Sequence, residues 1–264
     1  MRIGILKCGQ SPEILRGELG DYDSMFERLL AGRGFDFSSY HVEEMEFPRD
    51  VHDADGWLLT GSRHGAYEDH PFIPPLEDFI RKAYAAEVPL VGICFGHQII
   101  AQALGGTVVK HPDGWAVGQQ DYDFGGEKLT LNAWHQDQVV TLPEGAEVAA
   151  TNEFCENAAL VYGDRAFTVQ AHPEFQDDFV DGLIEHRAKG KVPAELLDRA
   201  RARMGGALQS GSIADRIETF FKTPRDVAAQ TRPDTPPQNP PPNPPRGPLN
   251  PQGEEETPRP RRAI

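Results

Sequence analysis

Apolar positions along the first 222 residues switch repeatedly between short strand-like runs and stripes at helical spacing. Residues 3–6 form a first apolar run, read as a strand. Met25, Phe26, Leu29 and Leu30 then fall on one face and predict a helix over 24–31. A second strand over 57–60 ends in the glycine-punctuated loop TGSRHGAYED. After Pro74-Pro75, the residues Leu76, Phe79, Ile80, Ala83 and Tyr84 recur at i, i+3, i+4, i+7 and i+8, the pattern of an amphipathic helix. Residues 88–93 are almost continuously apolar, as in the buried centre of a parallel sheet. They lead directly into a helix over 95–104 that Gly105-Gly106 closes. Several β-like runs follow between 107 and 170, among them 128–131 and 167–170, and are expected to add antiparallel strands to the main sheet. Helices over 175–187, 194–203 and 213–221 complete the pattern. Alternation of this kind specifies an α/β layer fold, and no internal repeat interrupts it.

The pattern stops near Thr223. Residues 223–264 are dense in proline and nearly free of large apolar side chains. Such a segment cannot bury enough surface to offset the entropy of ordering, so it is expected to be disordered or locally polyproline II. It reads either as an inert tail or, through 241–245, as a ligand for a proline-binding module. The expected organisation is therefore one domain over 1–222 and a tail over 223–264. A net charge of -15 in 264 residues argues against nucleic acid or an anionic membrane as partner. No apolar run approaches the roughly 20 residues that span a bilayer. The first residues enter a strand without the features of a signal peptide. Three cysteines without framework spacing fit a reducing compartment, and a cytoplasmic location is expected.

The segment VPLVGICFGHQIIAQALGG, residues 88–106, carries the most chemical information. A buried strand meets a helix at Gly92-Ile93-Cys94-Phe95-Gly96, the cysteine form of a nucleophile elbow. Gly92 and Gly96 flank the bend because side chains there would collide with the neighbouring strand and helix. The bend is expected to expose the Cys94 thiol at the carboxyl edge of the sheet. The helix N-terminus beside it favours a thiolate, the reactive form. The peptide N–H of Phe95 would point towards an oxyanion formed at the substrate.

With this motif in view, GICFGHQ at 92–98 resembles the nucleophile motif of class I, triad-type glutamine amidotransferases, and VQAHPEF at 169–175 resembles their histidine–glutamate motif. The likeness extends from residue 1 to the low 200s. It implies a flavodoxin-like three-layer sandwich with a mostly parallel sheet. It also implies that Cys94 attacks the γ-carboxamide carbon of glutamine, that His172 moves the proton, and that Glu174 orients the imidazole. The i, i+2 spacing of His172 and Glu174 fits the end of an extended strand, where both side chains point the same way. The loop after residue 60 is similar to the family's oxyanion loop, so Gly61 would supply a second N–H beside that of Phe95. Ser62, Arg63 and His64 stand where small residues are frequent, and Arg63 either touches substrate or faces solvent. Gln98 matches a family glutamine that binds the amino-acid part of the substrate. AWHQDQV at 133–139 resembles the substrate-binding turn and places Gln136 and Asp137 near the α-amino and carboxylate groups, or else forms a buried polar turn. His97 need not be catalytic, since its helical position can point it inward. Cys8 and Cys155 read as structural thiols. His52, His64, His70 and His111 show no metal-ligand spacing, so no zinc site and no cofactor are expected.

The implied chemistry is acyl transfer from a γ-glutamyl amide to water through a thioester. The leaving group stays open. GICFGHQI, WHQDQV and HPEF are similar both to the glutaminase domain of GMP synthetase and to γ-glutamyl peptidases. The chain is accordingly read as a stand-alone amidohydrolase acting on glutamine or a related γ-glutamyl amide, a small-molecule substrate, with a separate synthetase subunit as a possible partner. A γ-glutamyl peptidase working without a partner is the second reading. A catalytically idle regulatory module is the third.

Overall fold

The structure, a computed structural model, describes residues Met1–Arg225; of the tail expected over 223–264, residues 226–264 lie outside the described residues. Strand β1 (Arg2–Leu6) pairs in parallel with β2 (Asp36–Tyr40) on one side and β3 (Gly56–Leu59) on the other. Parallel pairing continues from β3 to β4 (Leu90–Ile93) and from β4 to β11 (Ala166–Val169). Two antiparallel strands, β10 (Ala159–Tyr162) and β9 (Glu147–Ala150), finish the seven-stranded sheet in the order β2-β1-β3-β4-β11-β10-β9. The sheet is thus mostly parallel with antiparallel additions, an α/β sandwich as expected.

Side-chain alternation divides the core. Trp57 and Leu59 of β3 pack with helix α3 (Ile73–Ala85), through Leu76, Phe79 and Ile80, and with α4 (Phe95–Ala103), through Ile99 and Ile100. Leu58, with Ile3 and Ile5 of β1, joins a different cluster. There Phe26 of α2 (Tyr22–Leu29) meets Ile213, Ile217 and Phe221 of α7 (Ser210–Lys222). This is the period-2 consequence of strands buried on both faces. Packing across β1 and β3 is tight enough that a Cβ at Gly4 would fall inside the Trp57 ring. A third cluster links α1 (Glu13–Leu19), α5 (Asp177–Arg187) and α6 (Ala194–Arg203) through Leu15, Phe179, Leu183 and Ala200.

Several expectations need correction. The helix placed over 24–31 starts at Tyr22 because Asp21 and Ser24 form a reciprocal capping box there. Pro74 and Pro75 lie inside the first turn of α3, where their missing N–H groups have no helical partner to lose. Not all the later strands join the main sheet. β5 (Thr107–Lys110) pairs with β8 (Asp137–Thr141), and β6 (Ala116–Phe124) pairs with β7 (Glu127–His135), as separate two-stranded sheets. The β6–β7 ribbon covers one face of the large sheet with Tyr122, Phe124, Leu129 and Leu131. No described helix is long and apolar enough to cross a membrane.

Candidate active site

The carboxyl ends of β1, β3, β4 and β11 converge on one region, where ligands bind in open α/β sheets. Cys94 follows β4 directly, and its φ of 53° and ψ of -104° place a non-glycine residue in a region that L side chains avoid. The bend holds because its surroundings leave no alternative. The Cys94 N–H donates to the Val169 carbonyl at 2.8 Å. A Cβ at Gly92 would lie 2.5 Å from the Gly96 carbonyl oxygen, and one at Gly96 would run into the carbonyl of Leu59. Both glycines are therefore steric requirements of the elbow. Contrary to expectation, the Cys94 thiol is not on the open surface. The residue is only 6% exposed and is reached through a cavity.

His172 and Glu174 do meet, with Nδ1 and Oε1 2.7 Å apart and both side chains buried. They reach each other differently from the way their spacing implied. β11 ends at Val169, and the pair sits in the turn beyond it. There the His172 N–H donates to the Asn132 carbonyl at 2.8 Å, and the Phe175 N–H donates back to the His172 carbonyl at 3.3 Å. The ring of Phe175 lies 3.9 Å from the imidazole at an interplanar angle of 4°, which fixes the plane of the histidine. Burial disfavours the imidazolium, but the negative charges of Cys94 and Glu174 and the hydrogen bonds to both overcome it and raise His172 to about 10. A thiol, an imidazole and a carboxylate in this order can form a thiolate–imidazolium pair, attack a carbonyl carbon and protonate the group that leaves.

Gly61 abuts this pair. A Cβ placed there would stand 3.0 Å from His172 Cε1 and 3.9 Å from Cys94 Cβ. Thr60 pins the loop, since its Oγ1 accepts from the Cys8 N–H and donates to the Gly61 carbonyl, both at 3.0 Å. Phe95 opens α4, so its N–H belongs to the first turn, whose donors have no intrahelical acceptor. The fold therefore brings together Cys94, His172, Glu174, Gly61 and Phe95.

The other candidates divide. Gln98 is buried and lines the cavity, and its amide nitrogen donates to the Asp137 carbonyl at 2.8 Å and to Gln170 Oε1 at 3.1 Å. Gln136 and Asp137 line the cavity. Asp137 accepts from the Tyr67 hydroxyl at 3.1 Å; burial pushes its carboxyl upward, against the hydrogen bond from Tyr67 and the charge of Lys110. Arg63 stands at the rim, with an exposed guanidinium 3.3 Å from Glu43. His97 is fully buried, with Nδ1 2.7 Å from Thr168 Oγ1, and burial lowers it to about 3. Cys8 and Cys155 are buried, and burial pushes both thiols upward, Cys155 to about 12.

The cavity measures about 510 Å³, within the roughly 300–1,000 Å³ range of small-molecule pockets. It is also lined by Trp134, from the AWHQDQV segment, and by Trp115, Arg187 and Lys191, which lie outside the sequence motifs. With Arg63 and Lys110, four cationic side chains line it, against the carboxylates of Glu68 and Asp137. In a chain of net charge -15, this local reversal is an invitation to anions.

Known proteins bear on this site. The family described as glutamine amidotransferase class-I matches residues 22–180. γ-Glutamyl peptidase 4 of Arabidopsis thaliana is 31% identical over 210 residues, covering 73% of this chain and 83% of that protein. The glutamine-hydrolysing GMP synthase of Methylobacillus flagellatus is 29% identical over 228 residues, 78% of this chain but 40% of that protein. Among solved structures, a glutamine amidotransferase from Thermotoga maritima superposes with a TM-score of 0.67 at 23% identity, covering 84% of this chain and 99% of that one. Its likeness carries the fold alone. Taken with the matched residues, which span both the Cys94 elbow and the His172–Glu174 turn, these findings show that the chain belongs to the class I glutamine amidotransferase family.

Proposed function

We propose that this chain hydrolyses γ-glutamyl amide bonds through a thioester on Cys94, and that the preferred leaving group is an amine larger than ammonia. The observation that carries the proposal is the Cys94 elbow facing the His172–Glu174 pair in a cavity whose lining also includes Trp115, Trp134, Arg187 and Lys191.

In this reading the Cys94 thiolate attacks the γ-carbonyl carbon, and the oxyanion forms between the N–H groups of Gly61 and Phe95. The His172 imidazolium gives its proton to the departing amine as the carbon–nitrogen bond breaks. Forming the thioester removes the thiolate charge that had raised the imidazole, so His172 is left neutral and able to take a proton from water. Water then attacks the thioester, glutamate leaves, and the thiolate and imidazolium are restored. Glu174 holds Nδ1 protonated throughout. Gln98, Gln136 and Asp137 would receive the amino-acid end of the γ-glutamyl group. Among the cationic side chains that line the cavity, Arg187 and Lys191 would receive a carboxylate on the leaving amine, a feature that ammonia lacks. The γ-glutamyl peptidase relative, matched over 83% of its own length, supports this assignment.

The second reading keeps ammonia as the leaving group and passes it to a separate synthetase. It is favoured by the GMP synthase relative, of which this chain spans 40%. Release of amino acid from γ-glutamyl dipeptides, beside release of ammonia from glutamine, separates the two when Cys94→Ala is the control. Faster Cys94-dependent turnover of the dipeptides supports the peptidase. Turnover of glutamine alone assigns the ammonia-donor role, and no Cys94-dependent turnover of either refutes both.

A further inference from the structure

Between β3 and α3, the loop carries His64, Glu68 and His70. Their spacing gives no metal signature, yet the fold brings one ligand atom of each within 4.8 Å of the others. His70 Nε2 lies 2.9 Å and His64 Nδ1 3.6 Å from the same oxygen, Glu68 Oε2. Ligand atoms bound tetrahedrally at about 2.0–2.1 Å stand about 3.3–3.4 Å apart, so these separations bracket the edge of such a site.

A second observation is independent of that cluster. The other nitrogen of His64, Nε2, is 3.0 Å from Glu43 Oε1. In the tautomer with Nε2 protonated, that nitrogen donates to the carboxylate and Nδ1 presents its lone pair towards Glu68, the arrangement that orients metal-bound histidines, while Arg63 Nε lies 3.4 Å from the same Nε2. The ring positions are also set in advance. The imidazoles of His64 and His70 are 3.9 Å apart, and both pack near the buried ring of Phe72. Backbone bonds from Glu68 to the Gly65 carbonyl and from Ile73 to the His70 carbonyl hold the loop between them.

We propose that His64, Glu68 and His70 form a three-ligand site for a divalent transition-metal ion of the zinc type, with Glu43 as the outer partner of His64 and water in the fourth position. His64 and Glu68 also line the cavity that holds Cys94, and Gly61 lies three residues before His64. A bound ion would therefore fasten the loop that carries Gly61. The site stands whether or not the hydrolase reading holds.

The test uses the full chain carrying Cys94→Ala, so that the thiol cannot coordinate the probe, titrated with Co²⁺ and with Zn²⁺. One equivalent should bind, and Co²⁺ should develop visible absorption. Either His64→Ala or His70→Ala should weaken binding at least tenfold. Glu43→Gln, which touches only the outer shell, should weaken it by about 10–100-fold. His70→Gln, with unchanged thermal unfolding, guards against a folding defect. No saturable binding, or binding that survives His70→Gln at full strength, would overturn the proposal.

Discussion

At Cys94 the usual stability order of alanine and glycine should invert. At an ordinary position glycine costs stability, because the unfolded chain gains about 0.4–1 kcal/mol of conformational freedom. The backbone of Cys94, at φ 53° and ψ -104°, is not ordinary. A side chain held in such a region costs about 1–3 kcal/mol, a cost that alanine retains and glycine sheds. At the middle of both ranges, Cys94→Gly should be more stable than Cys94→Ala by about 1–1.5 kcal/mol. Cys94 is also the N-cap of α4, where glycine again outranks alanine, so both effects have the same sign. In a domain of this size the difference amounts to about 2–6 °C in Tm. Urea and thermal unfolding of the two variants measure it directly, and both should be inactive, which removes turnover as a complication. If Cys94→Ala proved as stable as Cys94→Gly or more so, the elbow would not be strained and the account of how the thiol is presented would be wrong.

Other consequences can be measured on the same footing. In Cys94→Ala, the His172 imidazole should titrate well below about 10, because the thiolate that raises it is gone; NMR titration reads this, and an unchanged value would refute the ion pair. In the wild-type chain the acylation rate should fall as pH rises through about 10, where His172 loses the proton the leaving amine needs. His97 and His135 are buried and held down to about 3, so the unfolded chain binds their protons first. Stability should therefore be fully present above about pH 6.5 and decline towards pH 3, by about 1.4 kcal/mol per pH unit for each histidine within that window. Equal urea midpoints at pH 7 and pH 4 would contradict this. Arg187→Ala and Lys191→Ala should raise KM for γ-glutamyl peptides bearing a free carboxylate, with little effect on glutamine. Equal effects on both substrates would remove these residues from the leaving-group end.

What was legible in the chain was whatever local pattern encodes. The β4–Cys94–α4 turn could be read directly, because an apolar strand, two glycines and an apolar helix stripe fall within 19 residues. Helix α1 could not. Only Leu15 of its seven residues is buried, so it has no stripe to detect. The short strand β2 was hidden similarly, its five residues all partly or fully exposed at an edge of the sheet. At the site, Cys94, His172 and Glu174 were accessible through motifs. Phe175 was the next residue after a triad member, and an aromatic in that position was the available signal. Arg187 and Lys191 left none, because they reach the cavity from the end of α5 and the turn after it. The His64–Glu68–His70 cluster escaped for a related reason. Ligand spacing is read against regular helices and hairpins, whereas here an irregular loop does the gathering.

The three cysteines differ in one further respect. Cys8 and Cys155 are sealed in the core, and Cys94 alone opens to a cavity. A sulfenic acid formed on Cys94 by peroxide would be open to a small thiol entering the cavity, whereas Cys8 and Cys155, protonated and buried, are poor nucleophiles to condense with it. Rescue from outside must arrive before a second oxidation makes the damage permanent. The same seclusion that lets a single reagent label one thiol out of three makes that thiol's repair a matter of what can diffuse in.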